Sequence, residues 1–381
     1  MTKTKSFLLV ALLLASTRAS AIKVETGNPD LNLNISVLLQ VRYEGDWGGT
    51  PYNLSSPTGH YNNDFFVRRA RLITSGNAYK YFTFYIMLDS PRFGARGNYG
   101  GSTGTTFVQD LYVGYVPVPD VTIEAGFLYM PLSHGSLASN SQINAVEGPG
   151  DILFYPLSRG SREVGVQLRG LFFDKRILLR GGVYEGNRQV TAPTGTPPPP
   201  PINPQGTPEV AGMIRYNFAG EETGYSYPTL YYDGKTRISV GVGAQYQPHS
   251  GSLNTVDRTY YDYLALAADV FADVALPDDQ EASFTLGLYR SDWGPNQRNT
   301  GNALHGELGY RIGPIGPQVN VLWFNSDPKT NSSFKAAGGV NYYFSKHNAK
   351  LQLEVGSNTP NGVLNATPAQ KYVILQAQAA F

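Results

Sequence analysis

The chain has 381 residues, 30 of them basic and 29 acidic, and it contains no cysteine. A formal net charge of +1 gives no indication of a nucleic-acid partner, and the lack of cysteine excludes a disulfide framework. The 42 glycines, 26 tyrosines and mean hydropathy of −0.25 are unusual for a large soluble core. A barrel that turns apolar residues to lipid and encloses water would explain this polar average.

The amino terminus has the pattern of a secretory signal peptide. Lys3 and Lys5 precede an apolar run at residues 7–15, and the small residues Ala19, Ser20 and Ala21 follow it. A membrane-spanning helix needs about 20 apolar residues. No run in the chain approaches that length, which excludes a helical membrane protein. We therefore predict a signal peptide at residues 1–21 and a single domain at residues 22–381.

The first segment after the signal peptide alternates between apolar and polar residues. Within residues 31–42 the odd positions are apolar and the even positions are polar, except for Leu38. A period of two over about eleven residues is typical of a tilted membrane strand, whereas strands in soluble proteins average about five or six. Later segments repeat the pattern, and we count sixteen in all. The last segment, residues 371–381, ends the chain on Phe381.

Short and long connections alternate between these segments. The short ones include residues 76–78 and 277–279, and the long ones include residues 45–63 and 132–161. Tight periplasmic turns and longer external loops are typical of an outer-membrane barrel. We therefore predict an all-β fold, a transmembrane antiparallel barrel of 16 strands. Residues 219–234 form a long connection where a short turn is due, so either that turn is extended or the strand register differs there.

The strand at residues 65–75 carries the sharpest local motif, F-F-V-R-R-A-R-L at its start. By alternation, Arg69 and Arg71 share one face and Arg68 lies on the other. An arginine that faces lipid at the bilayer midplane costs about 2–4 kcal/mol. Arg68 must therefore reach an interface or lie at a bulge that reverses its facing. Arginines inside the lumen suit anions, because their fixed donors match carboxylate or phosphate oxygens.

Two segments, residues 65–89 and F-V-Q-D-L-Y-V-G-Y at residues 107–115, resemble the phosphate- and pyrophosphate-selective porin family of Gram-negative bacteria. The resemblance implies a homotrimeric 16-stranded channel in the outer membrane, with lumenal arginines leading to a narrow anion site. It implies that Arg68 and Arg69 are the constriction arginines and that Asp110 lies near the same site. The terminal Phe381 resembles the signal that the outer-membrane barrel assembly machinery reads.

The longest connection follows the fifth strand and is the third external loop of such a barrel. It contains Glu147, Asp151 and Arg159, and Arg162 comes directly after it. Gly148, Pro149 and Gly150 permit a sharp bend. In many 16-stranded porins this loop constricts the lumen, so we expect an inward-folded third loop. A loop folded over the rim is the alternative.

The lumenal charges bear on selectivity. Alternation places seven basic and seven acidic residues inward, which favours a weak or local anion preference over strong phosphate selectivity. The inward acids are Asp89, Asp110, Glu124, Glu163, Asp269, Glu307 and Glu354. The predicted pore and anion-binding residues are Arg68, Arg69, Arg71, Asp110, Arg169, Arg180 and Arg215. Alternatively, the arginines pair with inward carboxylates and brace the wall.

Other functions remain as alternatives. A sugar channel would need lumenal aromatic residues, and Tyr85, Tyr112, Tyr184 and Tyr289 face inward by alternation. An outer-membrane enzyme could use a pair such as His134 and Ser136, and a surface adhesin could use a plugged barrel. The five histidines show no metal-ligand spacing, so we expect no cofactor. We predict a porin, surrounded by outer-membrane lipid, that passes small hydrophilic solutes or anions passively.

Overall fold

The computed structural model describes residues 21–28, 30–47, 62–95, 106–147, 161–188, 202–203, 205–254, 259–295, 297, 299–327, 332–360 and 370–381. Sixteen long strands dominate them, numbered here in chain order: β1 Leu31–Trp47, β2 Asn62–Ala78, β3 Phe82–Asp89, β4 Phe107–Val118, β5 Val121–Tyr129, β6 Arg162–Phe172, β7 Ile177–Tyr184, β8 Glu209–Ala219, β9 Arg237–Gln247, β10 Tyr263–Leu276, β11 Gln280–Asp292, β12 Gly301–Ile312, β13 Ile315–Ser326, β14 Ser333–Ser345, β15 Ala349–Pro360 and β16 Gln370–Ala380. Short strands lie at Ile22–Glu25, Leu253–Asn254 and Thr259–Tyr260. Within the described residues, no helix is long and apolar enough to cross a membrane.

The sixteen long strands form one closed antiparallel barrel. Each strand pairs with its neighbours in sequence, and β16 pairs with β1, where Gln376 lies opposite Arg42. The amide of Phe381 extends this seam by donating to the carbonyl oxygen of Val37 at 3.0 Å. A closed sheet has no free edge, so its backbone groups are satisfied within lipid. The predicted sixteen-stranded barrel is confirmed.

The two faces of the sheet differ as the alternation predicted. On β9 the apolar residues Val240 and Val242 point outward and are 37% and 55% exposed, whereas Ser239 and Gln245 point inward and are buried. Leu266 and Leu288 on the next two strands repeat the outward pattern, at 43% and 52% exposed. An apolar outer face with polar side chains inside is the arrangement that lipid requires of a barrel.

The connection between β8 and β9 is extended. Strand β8 ends at Ala219 and β9 begins at Arg237, while the other connections at the same end of the barrel are short, such as residues 277–279. Strands β8 and β9 pair in register from Asn217 and Ser239 to Val210 and Tyr246. Of the two alternatives drawn from the sequence, an extended turn is therefore the correct one.

The third external loop is described as far as Glu147, and this first half lies inside the barrel. Lys350 on β15 donates to the carbonyl oxygen of Ile143 at 2.9 Å, and Asn144 donates to Ser283 on β11 at 2.9 Å. The loop leaves β5 and reaches β11 and β15 through these two bonds, so it crosses the interior. Only one helical turn, Gly135–Leu137, lies in this part of the loop.

Candidate functional site

A β-bulge places Arg68 in the lumen. Gln40 on β1 lies opposite Arg69 on β2, and the next residue of β1, Val41, lies opposite Val67, so Arg68 is the extra residue. The bulge reverses the facing of the residues before it, since Phe65 is 64% exposed and Phe66 is 2% exposed. Arg68 thereby avoids lipid by the second of the two routes that the sequence left open.

Arginines from β1 and β2 gather around Glu147 of the third external loop. Arg42 forms an ion pair with Glu147, and Nη2 of Arg68 lies 3.5 Å from the second carboxylate oxygen of Glu147. Arg69 donates through Nη1 to Oε1 of Gln40 at 2.9 Å, and Arg71 pairs through Nε with Asp89 at 2.9 Å. We call Arg42, Arg68, Arg69 and Arg71 the arginine wall.

The ionisation state of Glu147 follows from this arrangement. Burial alone would raise the pKa of Glu147, but the positive charges of Arg42, Arg68 and Arg69 lower the pKa well below its usual range. Glu147 is therefore a carboxylate at any ordinary pH. Its charge reduces the positive field of the arginine wall without cancelling it.

Among the residues that the structure describes, positive charge exceeds negative charge around the arginine wall. Arg92, which follows β3, is 4.0 Å from Glu44 and adds a fifth guanidinium group to the four of the wall. In the described part of the chain, three carboxylates form ion pairs with these groups: Glu44, Asp89 and Glu147. Arg68 and Glu44 keep 18% and 28% of their side chains exposed, so solutes can reach this region. The arrangement can attract a small anion and offer it guanidinium donors.

Asp110 lies in a second cluster, on the neighbouring part of the wall. Nε of Arg162 is 3.0 Å from Oδ1 of Asp110, and the hydroxyl of Tyr225 donates to the same oxygen at 2.8 Å. The guanidinium of Arg162 lies 3.6 Å above the ring of Tyr129. Asp110 therefore forms an ion pair with Arg162 and accepts a hydrogen bond from Tyr225. Tyr225 belongs to the extended connection between β8 and β9.

The remaining predicted arginines are paired within the barrel wall. Arg169 contacts Glu124 at 2.8 Å, and Arg180 donates through Nε to Gln167 at 3.1 Å. Arg215 contacts Glu222 at 2.8 Å and also pairs with Asp269. Arg169 and Arg215 pair with carboxylates, as the alternative drawn from the sequence expected, whereas Arg180 contacts an amide. Among them Arg169 keeps the most exposed side chain, at 22%.

Of the four residues predicted for the constriction loop, the structure describes two. Glu147 contacts the arginine wall, and Arg162 begins β6 beside Asp110. Asp151 and Arg159 lie outside the described residues. Sequence reasoning missed Gln40 and Glu222 as partners of lumenal arginines. The one available signal for Glu222 was the unexpectedly long connection in which it lies.

The lumenal tyrosines pack against one another. The rings of Tyr85 and Tyr112 stack with centroids 5.4 Å apart, and Tyr225 covers Tyr112 at 4.6 Å. Tyr184 and Tyr289 are 1% and 7% exposed. A sugar channel needs a path of ring faces open to the solute, so this packing gives the sugar alternative little support.

The predicted pair His134 and Ser136 has other contacts. The imidazole of His134 stacks on Phe271 with centroids 4.0 Å apart, and its Nε2 lies 2.9 Å from Glu222. The hydroxyl of Ser136 donates to the carbonyl oxygen of Ser133 at 2.9 Å. These contacts hold the loop in place and do not aim the two side chains at each other as a nucleophile and its base.

The architecture is that of known outer-membrane channels. The channel DcaP of Acinetobacter baumannii has a TM-score of 0.58 at 12% identity, covering 95% of this chain and 100% of that one. An anion-selective porin from Comamonas acidovorans has a TM-score of 0.56 at 10% identity, covering 92% and 100%. The trimer form of OmpT of Vibrio cholerae has a TM-score of 0.50 at 11% identity, covering 92% and 99%. No curated protein matches the chain.

Fold and lumen together define a porin, a β-barrel channel in the outer membrane of a Gram-negative bacterium that admits small hydrophilic solutes. Residues 41–216 match the family model described as phosphate-selective porin O and P. The match includes the arginine wall on β1 and β2 and extends into β8. The resemblance that the motif around Arg68 indicated is thereby confirmed.

Proposed function

We propose that this porin favours small anions over cations and that the arginine wall is the site of the preference. The supporting observation is the local excess of guanidinium groups over carboxylates around Glu147, described above. The lumen as a whole is close to balanced, so the preference is local and moderate. Phosphate and chloride would both experience this field, and the same donors would contact phosphate oxygens more closely.

The test is ion selectivity in planar bilayers. We expect the double variant Arg68→Ala, Arg69→Ala to lower the permeability of anions relative to cations in a potassium chloride gradient. Arg290→Ala is the matched control, because Arg290 pairs with Asp327 at 3.0 Å on an exposed site away from the wall. Reversal potentials that stay the same in the double variant would refute the role of the wall.

We also propose that the protein assembles as a homotrimer after removal of residues 1–21. Two considerations support this: the family resemblance, and the fold likeness to an outer-membrane protein known in a trimer form. The mass of the detergent-solubilised protein, measured by light scattering with the detergent contribution subtracted, tests the trimer. A mass of one chain would contradict it, and amino-terminal sequencing would locate the cleavage site.

A further inference from the structure

The connection between β8 and β9, residues 220–236, enters the barrel from the end of the short turns. We call it the inner segment. Tyr227 and Leu230 are 0% and 2% exposed, although a turn at this end would ordinarily lie in water. Glu222 contacts Arg215, whose guanidinium lies in the lumen. The amide of Tyr231 donates to Asp273 on β10 at 2.8 Å.

The inner segment reaches the opposite wall of the barrel. The carbonyl oxygen of Leu230 is 2.8 Å from Nε2 of His347, in the turn between β14 and β15. Lys346 of the same turn donates to the carbonyl oxygen of Tyr232 at 2.9 Å. On the near side, Arg180 donates to the carbonyl oxygen of Tyr225 at 2.7 Å. The segment therefore crosses the lumen and is held at both walls.

The inner segment also pairs with the third external loop. The amide of Tyr227 donates to Leu137 at 3.0 Å, and the amide of Ser139 donates back to Tyr227 at 2.9 Å. Ala138 and Tyr227 form a parallel β-bridge, and Thr229 donates to Gln142 at 3.1 Å. Backbone pairing of this kind satisfies polar groups that would otherwise be buried alone. Two segments that enter from opposite ends thus form one internal partition.

The partition packs against β10 to β13, and the solvent-exposed inward-facing arginines lie on other strands. On β10, β11, β12 and β13 the inward-facing residues are buried, from Tyr263 on β10 to Ser326 on β13, apart from the half-buried Ala275 near the end of β10. On the other half of the barrel most inward-facing residues are buried as well, but Arg68 and Arg169 keep 18% and 22% of their side chains exposed. An empty 16-stranded barrel would have water against both halves.

We propose that the inner segment is a fixed second constriction element, which with the third external loop closes the β8–β13 half of the lumen and confines solutes to the arginine wall. This proposal rests on the proposed porin function and specifies its path. The field of the wall acts strongly only on ions that pass close to it, within about 10 Å at 0.1 M salt. A partition that forces such proximity therefore determines both conductance and selectivity.

The first test shortens the inner segment. A variant in which a three-residue turn replaces residues 221–235 should conduct more current than the wild type, about twofold or more, since conductance follows the free cross-section. Its anion preference should fall, because ions gain a route away from the wall. Lys235→Ala is the matched control within the segment, since Lys235 is exposed, and it should conduct as the wild type does. Unchanged conductance in a folded shortened variant would overturn the proposal.

A second test needs no deletion. The chain has no native cysteine, so Ala138→Cys combined with Tyr227→Cys introduces only the intended pair. Neighbouring strands lie about 4.7–4.9 Å apart, which is within the range of Cα separations that suits a disulfide. We expect the oxidised pair to form a disulfide and its conductance to stay the same after reduction. Failure of the disulfide to form, or a conductance that changes on reduction, would show that the segment is not fixed there.

These outcomes separate the inference from the proposed function. If the wild type conducts without anion preference, the role of the arginine wall fails, yet the shortened variant still reports on the partition through conductance alone. If the wild type prefers anions and shortening changes neither conductance nor selectivity, the partition fails and the wall stands.

Discussion

The guanidinium group of Arg42 on the first barrel strand forms an ion pair with Glu147 of the third external loop. Arg42 is fully buried, and the same group contacts Glu44 at 2.9 Å and Gln376 at 2.7 Å. The seam between the first and last strands and the loop therefore share one buried arginine. Under the proposed function, the negative charge of Glu147 reduces the positive field that the arginine wall exerts on a passing ion.

Removing the charge of Glu147 should strengthen anion preference. In Glu147→Gln the guanidinium groups of Arg42 and Arg68 lose their shared carboxylate, so the local field becomes more positive. We expect the anion-to-cation permeability ratio to rise, measured as a shift of reversal potential in planar bilayers. Glu221→Gln is the control, because Glu221 pairs with Lys175 at 3.8 Å on an exposed site. A ratio that falls would contradict the assigned role.

Gly243 on β9 leaves room for the start of the third external loop. A Cβ atom at Gly243 would lie 2.1 Å from the carbonyl oxygen of Leu132, a distance at which the backbone must move. We expect Gly243→Val to displace the loop, raise conductance and lower the temperature at which the barrel unfolds in detergent. In Gly306→Ala the new atom would meet its nearest neighbours at 4.0 Å, so this control should behave as the wild type does.

Glu222 makes the partition resistant to mild acid. Burial alone would raise the pKa of Glu222, but Arg215 and His134 lower it to about 2. A depressed pKa means that the carboxylate contributes stability above the ordinary value of about 4.3 and loses it as the pH falls toward the folded value. We expect the conductance of the wild type to be the same at neutral pH and at pH 5.

The variant Glu222→Gln tests the contribution of this carboxylate to the partition. Glu222→Gln removes the ion pair with Arg215 and the carboxylate that contacts His134, so we expect greater conductance or frequent conductance steps already at neutral pH. Asp269, which also faces Arg215, remains in the variant. A conductance change between neutral pH and pH 5 that occurs in the wild type and disappears in Glu222→Gln would show that Glu222 titrates in that range, against the prediction.

The sequence resemblance predicts a role for Phe381 in assembly. The backbone of Phe381 is hydrogen-bonded to Val37, while its side chain is 44% exposed. We expect deletion of Phe381 to reduce the amount of folded barrel in the outer membrane, measured by heat-dependent migration on gels. Gln370→Ala at the other end of β16 serves as the control. Equal amounts of folded protein for the deletion and the wild type would contradict a role in recognition.

Much of the barrel could be predicted because local alternation carries the information. Consecutive residues of a strand between lipid and water face the two different environments. Leu39 and Gln40 can therefore be assigned to opposite faces from the sequence alone, without information on the neighbouring strands. Strict alternation failed at Arg68, where a bulge shifts the facing by one residue. An arginine that faces lipid has no polar partner and is costly. The lipid-facing position that strict alternation gives Arg68 was therefore recognisable as wrong from the sequence.

The partners of the arginines could not be predicted. Arg215 pairs with Glu222, close in sequence, yet the pairing depends on a connection that turns back into the barrel. Arg42 and Glu147 are distant in sequence and meet only because the loop crosses the lumen. Charge counting over the whole lumen suggested balance, whereas the arrangement of side chains produces a local excess at the arginine wall.

The amino-acid sequence by itself determined the closed barrel, its strand number and the identity of its outer face, because each of these follows from a two-residue period against two solvents. Only the tertiary structure decided what fills the interior. Hydrogen bonds such as those that Tyr227 makes with Leu137 and Ser139 join segments that enter from opposite ends of the barrel. Such contacts have no period along the chain, so they exist only once the barrel has closed around both segments.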